Sequence, residues 1–198
     1  MTPNYDQTPV DPEDAVAFVD GVSFATKQEV YQAEAEGILA IESEMMEAIA
    51  DGRITALDLC DYQTLFDLHR ACYSDVWAWA GKIRDKEVSI GVPPEMIRQR
   101  LPEELGTIAY WVENDIDPFW AAMAAHHRLV MIHPFVDGNG RVTRLFADLL
   151  LYSLTSQYTF DWGPAIGLPD YFSALREADQ TMNPAGLLKV VGLVDLGN

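Results

Sequence analysis

Apolar positions recur at helical spacing along most of the chain, and the breaks between stretches carry capping and turn residues. Thr26 with Glu29 three residues on reads as a capping box. Ile38, Ile41, Met45 and Ile49 then keep one apolar stripe to Ala50, where Asp51-Gly52 stops the helix. Thr55 opens a second helix through Leu57, Leu59, Leu65, Leu68 and Cys72. The pattern changes at 82–94. Ile83, Val88, Ile90 and Val92 favour strands, with Gly91 and Pro93-Pro94 as punctuation, which predicts a short hairpin. Helical spacing returns at about 95–113 and 118–131, after the Gly138–Gly140 loop to about 156, and at 169–180 and 184–194. The fold class this predicts is all-α with one small β-hairpin. Residues 1–24 are Pro-containing and predict an extended N-terminal arm; 25–52 form an N-terminal helix, and 53–198 the core domain.

Charge narrows the partners. The formal net charge is -18, so the surface repels nucleic-acid phosphates, and nucleic acid is not an expected partner. A bound nucleotide would need a local cationic pocket. Cys60 and Cys72 read as small buried hydrophobes in a reducing compartment. Residues 1–20 have neither a basic nor an apolar signal region, and no apolar run is long enough to span a bilayer, so a cytoplasmic protein without a membrane partner is expected.

The chemistry gathers in one run, His133-Pro134-Phe135-Val136-Asp137-Gly138-Asn139-Gly140-Arg141-Val142-Thr143-Arg144, followed by an apolar helix. A loop that opens a helix presents unpaired N–H groups and a positive dipole end, which suits phosphate. His133 is a candidate general base, against a core histidine bonded to a carbonyl. Asp137 is a candidate Mg²⁺ ligand, against a helix N-cap. Gly138 and Gly140 permit an anion-binding nest, against a tight turn. Arg141 and Arg144 place positive charge in the first turns, where it opposes the dipole, against surface ion pairs. Each element alone is weak; their joint occurrence is not. Of His126 and His127, one reads as a packed core histidine that supports the loop, with no zinc site evident.

The run fits HPFx(D/E)GNGRxxR at every defined position, and the chain resembles the Fic family. Val76-Trp77-Ala78-Trp79-Ala80-Gly81-Lys82-Ile83-Arg84 and His126-His127-Arg128 extend the resemblance, and the order of segments resembles the bacterial subgroup called mobile mystery protein B over nearly the whole chain, weakening over 1–25 and after Leu188. The resemblance implies a protein adenylyltransferase. ATP would lie over Gly138, Asn139 and Gly140, with Mg²⁺ at Asp137 and the β/γ-phosphates on Arg141 and Arg144. His133 would deprotonate a Tyr, Thr or Ser hydroxyl of a target protein. The segment near Lys86–Pro93, with Val88, Ile90 and Gly91, resembles a flap that docks the target. Glu36-Gly37 resembles the end of an inhibitory helix motif, with Gln32 where Ser or Thr is expected, which implies autoinhibition through Glu36 and Arg144; Glu34 is the second candidate. A different nucleotide donor such as UTP, AMP removal, and a nucleotide-sensing or toxin-like module stay open, as does a homo-oligomer.

Overall fold

The computed structural model describes residues 8–197 and is mainly helical. The arm carries one helical turn, α1 (Pro12–Ala15), and is packed rather than free. Pro9 bridges Thr26, Phe18 bridges Trp77, and the Phe18 ring is buried against Trp77 and Phe24. Thr2-Pro3 lies outside the described residues.

The long helix α2 (Lys27–Ala50) starts at the expected capping box: Thr26 accepts from Glu29 N–H, and the Glu29 carboxylate reaches back to Thr26 N–H. Its interior Gly37 sits where a Cβ would lie 2.7 Å from the Cys72 carbonyl oxygen. The glycine therefore lets α2 approach the next long helix closely. The single helix expected from Thr55 is two, α3 (Ala56–Leu59) and α4 (Tyr62–Tyr73), because Asp61 caps the second by accepting from Gln63 N–H.

Helix α5 (Pro94–Glu113) packs on α6 (Pro118–Ile132), which packs on α7 (Asn139–Thr155). Helix α6 buries Ala121, Ala122, Ala124 and Ala125, and α7 buries Leu145, Leu149, Leu150 and Leu151. Small side chains facing large ones let these two helices form the centre of the core. The candidate loop is the turn between them.

Two expectations change. The predicted 82–94 hairpin has no strands; Ile83 makes one isolated bridge to Phe135. The backbone groups there are committed elsewhere. The carbonyls of Lys86 and Val92 accept from the Arg84 guanidinium, and Val92 N–H donates to Ile132. The two-stranded antiparallel sheet lies instead at the other end of the chain, where β1 (Tyr158–Asp161) pairs with β2 (Gly192–Asp195). The predicted 184–194 helix shrinks to a 3₁₀ turn and α9 (Leu187–Val190) before the chain extends into β2. Asp148 of α7 anchors this sheet, accepting from Phe160 N–H and Trp162 Nε1–H at 2.9 and 2.8 Å. Between β1 and α9 runs α8 (Pro169–Thr181), whose Tyr171, Ala174 and Ala178 face the core.

Candidate active site

The loop between α6 and α7 is shaped by two left-handed residues. His133 caps α6 at φ 56°, and Gly138 caps α7 at φ 75°. A Cβ on Gly138 would meet the Tyr73 ring at 2.7 Å, so only glycine fits. Asn139 is buried and spends its side chain on the loop, with Oδ1 accepting from Phe135 N–H and Nδ2 donating to the Phe135 carbonyl, both at 2.8 Å. What Asn139 offers a ligand is its backbone N–H, one of the first-turn groups a helix leaves without an internal acceptor.

Beneath the loop lies a residue the sequence reading missed. His69 of α4 is buried and stacks on Phe135 at 3.7 Å between ring centroids. Gly81 N–H donates to its Nδ1 at 2.9 Å, which leaves the ring proton on Nε2, 3.1 Å from the Asp137 carbonyl. Burial pushes its pKa down to about 4, so the ring stays neutral and fixed. The loop-supporting role expected of one of His126 and His127 thus falls partly to His69. His126 does take part. Its Nδ1 lies 3.0 Å from Thr143 Oγ1, which donates to the Asn139 carbonyl, and its Nε2 lies 2.8 Å from the Tyr171 hydroxyl.

His133 is half-buried. Its Nδ1 lies 3.3 Å from the Val130 carbonyl, a contact only an N–H can make favourably, so Nε2 keeps its lone pair. Burial holds its pKa below 6.5, and the base form dominates at neutral pH. Gly91 presses on it: a Cβ there would fall 2.6 Å from the His133 Cβ. Arg84, also missed, clamps this contact. It is buried and donates to the carbonyls of His133 (2.6 Å), Lys86 (2.9 Å) and Val92. A lone arginine in an otherwise strand-like segment was the available signal. Ile90 and Gly91 line the cavity beside His133; Val88 is exposed and does not.

The two motif arginines diverge. Arg141 turns toward α2, donating to Glu34 at 2.6 and 3.4 Å, lying 3.5 Å from Asp137 and 5.2 Å above the Tyr73 ring. Glu34 is 1% exposed and also accepts from Trp77 Nε1–H at 2.8 Å. Arg144 turns toward α8 and lines one cavity with Tyr171. The expected Glu36–Arg144 contact is not formed. Glu36 is exposed and accepts from Gln32 of its own helix. Asp137 does not serve as N-cap, a position Gly138 takes; its Oδ1 accepts from Gly138 N–H and its side chain is 67% exposed.

Arg144 and Gly140 form one wall of a cavity of about 570 Å³, with His133, Ile90, Gly91 and Val92 on another and Tyr171, Phe172 and Leu175 of α8 opposite. Among the described residues no cluster of three His, Cys, Asp or Glu side chains could hold a metal. No described helix is long and apolar enough to cross a membrane.

A Fido domain-containing protein of Dictyostelium discoideum is 33% identical to this chain over 110 residues, 50% of this chain and 72% of that protein. The chain belongs to the Fic/DOC family. The family's sequence profile matches residues 59–151, which hold α4 to α6, the whole motif and most of α7. The Fic protein adenylyltransferase of Caenorhabditis elegans is 38% identical over 76 residues, 36% of this chain. The chain spans only 15% of that relative's length. The Fic fold extends beyond the profile: BepC of Bartonella tribocorum, a translocated effector solved with AMPPNP, superposes with a TM-score of 0.63 at 17% identity, over 89% of this chain and 96% of that one.

Proposed function

We propose that the chain is a protein adenylyltransferase that moves AMP from ATP to a hydroxyl side chain of a target protein. One observation carries the reading: His133, with Nε2 unprotonated, lines the same cavity as Gly140 and Arg144 of the α7 N-terminus. Kinship to proteins named adenylyltransferases and to a fold solved with AMPPNP supports it.

The triphosphate fits the Arg144 end of the cavity, where first-turn N–H groups and a guanidinium meet anionic oxygen. The target's Tyr, Thr or Ser hydroxyl approaches between the 84–92 segment and His133. Nε2 takes its proton, the oxygen bonds the α-phosphorus, and the bond to the bridging oxygen breaks, releasing pyrophosphate. Catalysis of this kind is mainly positioning and charge neutralisation. The Arg84 clamp holds the segment against the base. Asp137 fits Mg²⁺, which is commonly held by one or two carboxylates together with substrate phosphates; when bound, the ion neutralises phosphate charge. The -18 net charge argues against nucleic-acid targets.

The Glu34–Arg141 pair supports autoinhibition by α2. It ties down Arg141, a motif cation expected on the β/γ-phosphates, through Glu34 and in place of the expected Glu36–Arg144 contact. To test transfer, the chain is incubated with Mg²⁺ and α-labelled ATP beside Glu34→Gln and His133→Ala variants. A mass gain of one AMP, larger in Glu34→Gln and missing in His133→Ala, is expected. ATP binding without any label, given target-rich lysate as well, would leave a sensor in place of an enzyme.

A further inference from the structure

The chain has 31 acidic side chains and 13 basic ones, so its cations are scarce and the place where they gather is informative. The cavity at His133, the one beside α1 and Glu34, and the one behind Arg141 each set their cations next to at least one carboxylate. A fourth does not. This groove of about 360 Å³ lies between α4, the 81–83 turn and the start of α5. Arg70, Lys82 and Arg98 line it, and no carboxylate does.

Two of these cations are held in place. The Arg70 stem crosses Gly81, where a Cβ would fall 2.8 Å from the Arg70 Cβ, and its guanidinium pairs with Asp67. Lys82 Nζ donates to the Ala78 carbonyl at 2.8 Å, which fixes the ammonium without neutralising it. Arg98 is exposed and has no ion-pair partner among the described residues. Asp67 therefore offsets one charge of the three. The floor is aromatic, with the Tyr62 and Phe66 rings 4.7 Å apart between centroids. The groove shares no lining residue with the His133 cavity. It backs onto the catalytic loop instead: Phe66 meets Phe135 edge-on at 5.4 Å, and Ile83 bridges Phe135.

We propose that this groove docks a short acidic segment of a partner protein, with Asp or Glu carboxylates on Lys82, Arg98 and Arg70 and an apolar side chain of the segment on Tyr62 and Phe66. Charge complementarity chooses the occupant. A second copy of this chain would bring its own net charge of -18 and be repelled as a whole. A short acidic segment meets mainly the charges within a Debye length of about 10 Å, which are the groove's own. Exposed ion pairs contribute little by themselves, so the aromatic floor has to supply an anchor. The docked segment is not the one modified at His133. It grips the 81–83 turn, whose Gly81 N–H holds His69 under the loop.

Selection of a random seven-residue peptide library on the unsubstituted chain tests this, with a Lys82→Glu/Arg98→Glu double variant alongside. The expected survivors carry Asp or Glu on both sides of Phe, Tyr, Trp or Leu. The strongest survivor, synthesised with a fluorescent label, should bind the double variant about tenfold or more weakly, and the unsubstituted chain more weakly in about 0.5 M salt. Glycine in place of its apolar residue should cost as much. If charge reversal unfolds the chain, as melting would show, Lys82→Gln with Arg98→Gln decides the same point. No acidic consensus, or equal binding to the folded variant, overturns the inference. So does full displacement of the peptide by inorganic phosphate, which would make the groove a small-anion site, or by ATP, which would place the peptide at His133. ATP affinity of the double variant, expected unchanged, keeps the transferase reading separate.

Discussion

Arg141 and Arg144 leave the same helix three residues apart and meet opposite circumstances. Arg141 is held by a buried glutamate, a neighbouring aspartate and an aromatic face. Arg144 lines an open cavity beside Tyr171 and forms no ion pair within salt-bridge distance among the described residues. Two identical side chains in one motif can thus serve as a working cation and a restrained one. What separates them is the neighbouring helix each one faces, α8 or α2. Sharing a helix face, which their spacing suggests, did not give them a common partner.

The largest effect that sharpens this contrast is expected at the open arginine. Arg144→Ala should weaken ATP binding by about 10- to 100-fold, the range of hydrogen bonds to charged groups, with little change in melting temperature. Unaltered ATP affinity would remove Arg144 from the phosphate site. Next comes the restraint. Glu34→Gln keeps an acceptor for Trp77 Nε1–H while deleting the charge, and should raise self-labelling by about tenfold. Adding Arg141→Ala to Glu34→Gln should reverse that gain; if it does not, Glu34 restrains something other than Arg141.

Acid should act on both activity and stability. Transfer requires neutral His133, so the rate should fall as pH drops through a midpoint below 6.5 and stay flat above 7. A midpoint above 7 would exclude His133 as the base. Stability has the same sign by a different route. Buried His69 and His126 resist protonation until about pH 4 and about 3, while the unfolded chain takes up protons near 6.5. Stability is therefore present above 6.5 and lost as pH falls, by on the order of 2 kcal/mol per histidine between pH 7 and 5. Melting temperatures across that range measure it. The smallest effect is expected at Glu36→Ala, which should leave labelling and melting unchanged, since its one partner is Gln32 on the same exposed face.

The motif, the helix starts and the central helices could be read from the sequence because each depends on local chemistry: a cap, a periodicity, a contiguous run. The choice between Glu34 and Glu36 could not. It depends on which face of α2 meets α4, and Gly37 settles that by close approach to Cys72. Glu34, three residues before Gly37, shares its face; Glu36, one residue before, points about 100° away. The 82–94 segment misled for a similar reason. Its β-prone residues matched a hairpin, but a single buried guanidinium took the carbonyls that a ladder would have used. The sheet formed instead where Asp148, twelve residues before Phe160, supplied an anchor that no local pattern announces.

Trp77 gives the chain a built-in optical gauge. Its indole donates to Glu34 and stacks on Trp79 at 5.1 Å between centroids. Any departure of Glu34 from Arg141 frees that N–H and changes the surroundings of two coupled chromophores. Near-ultraviolet dichroism and emission wavelength should therefore follow the release of α2 in real time, without a label and before any AMP has moved.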